Sequence, residues 1–97
     1  MAYRISPRAQ QDLESIVGYI GARNPQAAVR LVDRFASRWE LLATQPRSGM
    51  HRDEVLPGVR HAVTGPYVAF YRVEDEDVVI LRVLHGHREV TSSAFEE

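Results

Sequence analysis

Two apolar segments in the second half of the chain constrain the fold most. Tyr67–Val73 and Val78–Leu84 are rich in β-branched and aromatic residues, and the acidic run Glu74–Asp77 separates them. Such segments, joined by a short polar turn, are typical of an antiparallel hairpin. A further strand candidate, Gly58–Thr64, precedes them, and Gly65-Pro66 provides the intervening turn. The sequence therefore predicts an antiparallel sheet in this half.

The first half predicts two helices. Ser6-Pro7 and Asn24-Pro25 each combine an N-cap side chain with a proline. Proline fits the first helical turn because its missing N–H needs no partner there. We expect the first helix to end near Gly21 and the second near Thr44. Their short connection should make an antiparallel hairpin.

Each predicted helix has one apolar face that it cannot bury alone, so the pair should pack on the sheet. With a short strand at Tyr3–Ile5, the predicted fold is α+β, in the order β-α-α-β-β-β, with a single domain over residues 1–97. The expected core contains Leu13, Ile16, Ile20, Val32, Phe35, Trp39, Phe70, Leu81 and Val83.

Strand pairing should place Thr64 opposite Tyr67, Val73 opposite Val78, and Tyr67 opposite Leu84. Side chains alternate between the faces of a sheet. We expect the helices to cover the face with Val59, His61, Val63, Val68, Phe70, Arg72, Val79, Leu81 and Val83. The other face would be a binding surface or a partly solvated one, and it would carry Arg60, Ala62, Thr64, Tyr67, Ala69, Tyr71, Ile80, Arg82 and Leu84.

Composition limits the classes of function. The chain of 97 residues has no cysteine, so it can form neither a disulfide nor a thiolate metal site. It has no signal-peptide pattern and no apolar run of about 20 residues, so we expect a soluble cytoplasmic protein without membrane contact. A net charge of −1 disfavours broad binding to nucleic acid but leaves a local patch possible. No nucleotide-binding motif is present, and no cofactor is expected.

Three groups of residues are candidates for chemistry or binding. His85 and His87 could be an acid–base pair, metal ligands, or polar residues at a strand end; two ligands alone do not predict a metal site. The polar loop His51–Glu54 could meet phosphate or be solvated. On the second helix, a basic row could receive an acidic partner segment or DNA, or could face solvent. It consists of Arg30, Arg34 and Arg38.

The order of several short patterns resembles the ParE/RelE superfamily of toxins, and ParE-like toxins most closely. The resemblance covers nearly the whole chain. Its patterns are Ser6-Pro7-x-Ala9-x-x-Asp12-Leu13-x-x-Ile16-x-x-Tyr19-Ile20, Asn24-Pro25-x-Ala27-Ala28, Leu42-x-x-x-Pro46-x-x-Gly49, Gly58-Val59-Arg60, Tyr67-x-x-Phe70-Tyr71-Arg72-Val73 and Ile80-Leu81-Arg82-Val83-Leu84-His85-Gly86-x-Arg88.

This resemblance implies a type II toxin that a cognate antitoxin, ParD-like or similar, wraps and neutralises. The antitoxin would cover apolar surface by placing a helix in a groove or adding a strand. Antitoxin contacts are expected at Leu13, Ile16, Val17, Tyr19, Ile20, Arg30, Arg34, Arg38 and Trp39.

The resemblance also implies two alternative activities. ParE-like members bind DNA gyrase, whereas RelE-like members cut messenger RNA on the ribosome. The chain lacks lysine, and Phe95 is the only aromatic residue after Arg88, so we expect a non-enzymatic gyrase inhibitor. Residues expected to meet the target are Arg60, Tyr71, Arg82, His85, His87 and Arg88; for a ribonuclease, the catalytic set would be Arg60, Arg82, His85, His87 and Arg88.

Overall fold

The computed structural model describes residues 2–86 and 89–96. It confirms the α+β fold, in which a helical hairpin packs on a sheet. Neither of the two α-helices in those residues is long and apolar enough to cross a membrane. The elements are β1 (Tyr3–Ile5), α1 (Pro7–Arg23), α2 (Pro25–Thr44), β2 (Met50–His51), β3 (Arg60–Thr64), β4 (Tyr67–Glu74), β5 (Asp77–His85) and a C-terminal 3₁₀ helix (Ser92–Phe95).

Both predicted helix starts are confirmed by side-chain caps. The Ser6 hydroxyl accepts a hydrogen bond from the backbone N–H of Ala9 at 3.1 Å. The Asn24 side-chain oxygen accepts one from the backbone N–H of Ala27, also at 3.1 Å. Each cap satisfies a donor that the first helical turn would otherwise leave unpaired.

The predicted stop at Gly21 is wrong, because α1 continues to Arg23. Asn24 ends α1 with a bond from its N–H to the carbonyl of Ile20 and also caps α2. Gly21 lies where the two helices approach each other: a Cβ there would be 3.5 Å from the Cβ of Ala28. The glycine therefore belongs to the helix contact and not to a turn.

The sheet has five strands in the order β1-β5-β4-β3-β2. Four of these strands form antiparallel pairs, but β1 runs parallel to β5, so the predicted antiparallel sheet gains one parallel edge. The short β2, inside a predicted loop, was not expected. It pairs only Met50 with His61 and His51 with Arg60, and two residues are too few to show a periodic pattern.

Strand register agrees with the prediction next to the turns and departs from it beyond a bulge. Thr64 pairs with Tyr67 and Val73 with Val78, as expected. Farther along β4 and β5, however, Tyr67 pairs with His85 instead of Leu84 because the register shifts between Phe70 and Tyr71.

Leu81 is the extra residue of this bulge, since Phe70 pairs with Arg82 and Tyr71 pairs with Ile80. An extra residue reverses the in–out alternation of the strand beyond it. The strand β1 pairs with β5 only as far as Ile80. Beyond that point, α1 and its N-cap residue bind the bulged edge of β5. The Ser6 hydroxyl donates to the carbonyl of Leu81 at 3.0 Å, and the N–H of Val83 donates to the Asp12 carboxylate at 3.0 Å.

The predicted choice of sheet face is wrong for β3, for β4 and for β5 before its bulge. There Val78 and Ile80 face the helices in place of the predicted Val79 and Leu81, whereas Val83, beyond the bulge, lies on the predicted face. The helices cover the face that carries Ala62 and Ala69, and the small side chains leave room for the rings of Phe35 and Trp39. Both faces are apolar, so composition did not distinguish them. The helix-facing sheet residues are Ala62, Tyr67, Ala69, Tyr71, Val78, Ile80 and Val83.

The opposite face has its own small core, covered by the loop before β3 and by the C-terminal segment. Phe70 and Leu81, which were expected beneath the helices, lie here. The ring of Phe95 meets that of Phe70 edge to face, with centroids 5.6 Å apart. This core contains Val59, Phe70 and Leu84, with Leu56, Val68, Leu81, Val90, Ala94 and Phe95 packed against it.

Within α2, the predicted core positions divide into two groups. Phe35 and Trp39 are buried and stack with ring centroids 5.5 Å apart. Val32 is 47% exposed, so its predicted place in the core is wrong. The apolar face of α2 is wider than the surface that the sheet covers, and Val32 lies at its uncovered margin.

Candidate partner groove and arginine sites

An apolar groove runs between α1, α2 and β1. Its volume is about 570 Å³, and its walls include Leu13 and Val17 of α1 and Val32 and Trp39 of α2. Three of these four residues belong to the predicted antitoxin contacts. Leu13 and Val17 are half-buried and Val32 is 47% exposed, so apolar side chains of both helices are partly uncovered in the groove. Such a groove can accept the apolar face of another helix.

Other residues of the predicted antitoxin set lie elsewhere on α1. Ile16 and Ile20 are half-buried and pack against the main core. Tyr19 is 63% exposed, and the guanidinium carbon of Arg23 lies 3.8 Å from its ring centroid. This cation–π contact holds the tyrosine ring on the outer surface of the helix.

The basic row of α2 extends toward the turn between β3 and β4. Arg30 is exposed. The guanidinium of Arg34 lies over Gly65, where a Cβ would come within 3.4 Å of both terminal nitrogens. Arg38 donates to the carbonyl of Val63 through Nη2. The structure thus brings two of the three predicted arginines to one end of the sheet.

Arg82, a predicted target and catalytic residue, is buried in an ion pair. Its Nε and Nη2 donate to the two carboxylate oxygens of Asp12 at 2.7 and 2.9 Å, and its Nη1 donates to the carbonyl of Ala94. The residue is 6% exposed. Sequence reasoning did not find this partnership, because nothing in the spacing of residues 12 and 82 indicates that they meet.

Tyr71, another predicted target contact, is fully buried, which corrects its expected place on a binding surface. Its hydroxyl donates to the carbonyl of Pro46 at 2.8 Å and accepts from the N–H of Gly49 at 2.9 Å. Arg60 fixes the same loop: its Nη1 donates to the carbonyls of Arg47 and Gly49 at 3.1 and 2.8 Å. Both side chains hold the loop after α2 against the sheet.

Only part of the predicted histidine cluster falls within the described residues. His85 ends β5 and is exposed, and its ring meets that of Tyr67 edge to face with centroids 5.8 Å apart. His87 and Arg88 lie outside the described residues. Across residues 2–86 and 89–96, no group of three or more histidine or acidic side chains could hold a metal ion.

The polar loop around β2 is internally paired. Arg52 bonds Glu54 at 2.6 Å and the Nδ1 of His61 at 3.0 Å. Burial, reinforced by the nearby Arg52 charge, lowers the pKa of His61. The hydrogen bond from Arg52 is the main cause that lowers the pKa of the exposed Glu54 carboxyl. The guanidinium of Arg52 is therefore engaged both by the loop and by β3.

Comparison with known proteins gives consistent results over nearly the whole chain. The model of the ParE toxin of the type II toxin-antitoxin system parDE matches residues 3–90. Toxin ParE1 of Mycobacterium tuberculosis is 33% identical over 90 residues, covering 91% of this chain and 92% of that protein. Toxin RelE2 of Caulobacter vibrioides is 37% identical over 81 residues, covering 84% and 90%.

A solved structure agrees with these sequence matches. The chromosomal ParDE TA system from P. aeruginosa contains a chain that matches with a TM-score of 0.74 and 25% identity, covering 88% of this chain and 95% of that one. The fold and the family model therefore agree. The chain belongs to the ParE toxin family of type II toxin–antitoxin systems.

Proposed function

We propose that this toxin inhibits DNA gyrase by binding it and does not cut RNA. Gyrase as the target is what the resemblance to ParE-like toxins implies, and the observation that speaks against RNA cleavage is the pairing of Arg82. Each of its three guanidinium nitrogens has a protein partner, and the side chain is almost fully buried. An arginine that stabilises a phosphate during cleavage must direct donors at the reacting group.

Freeing Arg82 would be costly. Breaking a buried ion pair by removing one partner typically costs about 3–5 kcal/mol, because the remaining charge stays buried without compensation. A substrate phosphate would have to replace the Asp12 carboxylate at a site that α1, β5 and the C-terminal segment enclose. Arg60 is also engaged, since its Nη1 donates to two loop carbonyls. These contacts favour a structural role for both arginines.

Ribosome-dependent cleavage of messenger RNA is the second candidate function. It is favoured by the similarity to a relative named RelE2 and by the exposure of His85, a residue type that can transfer protons near neutral pH. In this alternative, His85 at the end of β5 would transfer the proton. Arg60 would have to break its hydrogen bonds to the loop carbonyls before it could bind the RNA phosphate.

We further propose that a cognate antitoxin neutralises the chain and places an amphipathic helix in the groove between α1 and α2. Support comes from the exposed Val32 and the apolar side chains of Leu13 and Val17 at the groove walls. A stable complex should bury more than roughly 1,200 Å² in total. A structure of the complex in which the antitoxin contacts only loops would contradict this placement.

The target is tested with two assays run on the same purified chain. With gyrase, ATP and relaxed DNA, we expect supercoiling to stop or cleaved DNA to accumulate. With translating ribosomes, we expect no new cuts in messenger RNA. His85→Gln removes the exposed imidazole, so it should abolish any cuts in messenger RNA that depend on proton transfer from this residue. Untouched gyrase together with messenger RNA cuts that His85→Gln abolishes would establish the alternative.

A further inference from the structure

A pocket on the face of the sheet opposite the helices lies beside the C-terminal 3₁₀ helix and is separate from the groove between α1 and α2. Its volume is about 410 Å³, which is in the range of pockets that bind small molecules. Four parts of the chain form its walls: the start of α1, the loop before β3, the strands β4 and β5, and the C-terminal segment. Its main lining residues are Arg8, Leu56, Arg72, Leu81, Arg82 and Phe95, which we call the C-terminal pocket.

One part of the C-terminal pocket is apolar. Leu56, Leu81 and Phe95 are half-buried, and each packs against the small core around Phe70. All three also line the pocket. An apolar group placed against them would remove more apolar surface from water, which is favourable. This part of the pocket therefore suits the apolar portion of a ligand.

The other part of the C-terminal pocket is lined by guanidinium groups, two of which have carboxylate partners. Arg82 binds both carboxylate oxygens of Asp12. Arg72 donates to Glu74 through Nε and Nη2 at 3.1 and 3.0 Å. Among the described residues, no acidic side chain lines the pocket itself. The charges of Arg72 and Arg82 are thus balanced from outside it.

Arg8 is the cation of the C-terminal pocket that lacks a counter-ion. It is half-buried, and its Nη1 donates to the backbone carbonyl of Glu96. Within residues 2–86 and 89–96, it forms no ion pair with a carboxylate. A half-buried charge without a partner is unfavourable compared with a paired one. A single negative charge in the pocket would balance it.

We propose that the C-terminal pocket binds a small monoanion, with its carboxylate on Arg8 and its apolar group against Leu56 and Phe95. Arginine pairs with a carboxylate through two parallel hydrogen bonds, so Arg8 suits this head group. A phosphate monoester fits less well, because it carries about two negative charges at neutral pH and the pocket has a single unbalanced positive charge. This inference does not depend on gyrase being the target.

A ligand in this position would also stabilise the C-terminal segment. Phe95 lines the pocket and meets the ring of Phe70 edge to face. Arg8 lines it too and binds the carbonyl of Glu96. The ligand would therefore contact both side chains that connect this segment to the rest of the fold. A ligand that binds only the folded state raises the thermal midpoint by mass action.

The test uses octanoate as the probe and isotope-labelled protein, with the NMR shifts of backbone amides as the measurement. We expect saturable shifts at Leu56, Leu81 and Phe95. Octanamide, the neutral equivalent, should bind at least about tenfold more weakly, because it cannot form a charged pair with Arg8. Acetate should also bind at least about tenfold more weakly, because it lacks the apolar group. Octanoate should in addition raise the thermal midpoint.

Two arginine variants separate a specific pair from general charge attraction. Arg8→Gln should weaken octanoate binding about tenfold or more, because the charge and its paired donors are lost. The matched control is Arg4→Gln, which removes the same charge from β1. Arg4 forms an exposed pair with Asp77 at 3.5 Å, so this variant should change octanoate binding less than about twofold.

Equal losses in the two variants would overturn the proposal, as would shifts confined to Leu13 and Val32 in the groove between the helices. Equal binding of octanoate and octanamide would also overturn it. Tighter binding of octyl phosphate would contradict the carboxylate assignment, and tighter binding of a short RNA that is lost in Arg8→Gln would show a nucleic-acid site instead. None of these measurements uses gyrase, ribosomes or an antitoxin, so their outcome is separate from that of the proposed function.

Discussion

At the scale of single residues, the side chains with the most polar contacts serve the fold. Asp12 illustrates this: its carboxylate binds Arg82 through both oxygens and also accepts the N–H of Val83. One residue thus neutralises a buried charge and completes the bulged edge of β5. Tyr71 likewise makes two polar contacts with one side chain, because its hydroxyl binds two backbone groups of the same loop.

Removing the charge of Asp12 should destabilise the protein strongly. We expect Asp12→Asn to lower the free energy of unfolding by about 3 kcal/mol or more, because Arg82 would remain buried without its counter-ion. The control is Asp77→Asn, which breaks the exposed pair with Arg4 at 3.5 Å and should cost less than about 1 kcal/mol. Urea unfolding measures both. Similar losses in the two variants would mean that the buried pair contributes no more than a surface pair.

His61 should make stability depend on pH. Its pKa in the folded protein is below the ordinary value of 6.5, so the unfolded chain takes up a proton first as the pH falls. The free energy of unfolding should therefore decrease as the pH drops through about 6.5 toward the folded-state pKa. His61→Asn should lose less stability between about pH 7.5 and about pH 5.5. Identical pH profiles for both proteins would argue against this assignment.

At the scale of elements, the helices depend on local signals, whereas the strands depend on one another. Ser6 and Asn24 start their helices through bonds to residues three positions ahead, so the sequence alone indicates them. The bulge at Leu81 depends on α1 and its cap instead, because Ser6 binds the carbonyl of Leu81 and Asp12 binds the N–H of Val83. Local sequence contains no sign of that contact.

Substitution by alanine should change the stability in opposite directions at Gly18, in a helix, and at Gly49, in a loop. A Cβ at Gly18, in the interior of α1, would have no atom within 4 Å, so Gly18→Ala should raise the free energy of unfolding by about 0.5–1 kcal/mol through helix propensity. At Gly49, a Cβ would lie 2.4 Å from the Tyr71 hydroxyl and 2.7 Å from the His61 carbonyl. Gly49→Ala should therefore destabilise. Thermal unfolding of both variants tests this contrast, and a stable Gly49→Ala would refute the close packing of the loop.

At the scale of the whole molecule, the sheet separates two cores of different size. The larger core lies beneath the helices and includes Phe35 and Trp39. The smaller core around Phe70 lies on the other face, where the C-terminal segment covers it. As a result, both faces of the sheet are covered. The exposed apolar side chains lie at the margins, with Val32 at the groove between the helices and Leu41, Met50 and Val63 together near the edge formed by β2 and β3.

Two substitutions in α2 test this distribution. Phe35 is 3% exposed, and Phe35→Ala should lower the free energy of unfolding by about 3–5 kcal/mol. Val32 is 47% exposed on the same helix, and Val32→Ala should cost less than about 1 kcal/mol. Denaturant unfolding with both variants checks the rotation of α2. A larger loss at Val32 than at Phe35 would mean that the helix turns another side toward the sheet.

The order of the main elements, the helix caps, the register at both turns and the family could all be predicted from the amino-acid sequence. Those features depend on periodicity and on contacts between residues close in the chain. The sheet face that the helices cover could not be predicted, because both faces are apolar and the bulge reverses the alternation in one strand. The tertiary structure decided this, and it also decided that Arg82 pairs with Asp12, since a contact between residues 12 and 82 leaves no local pattern.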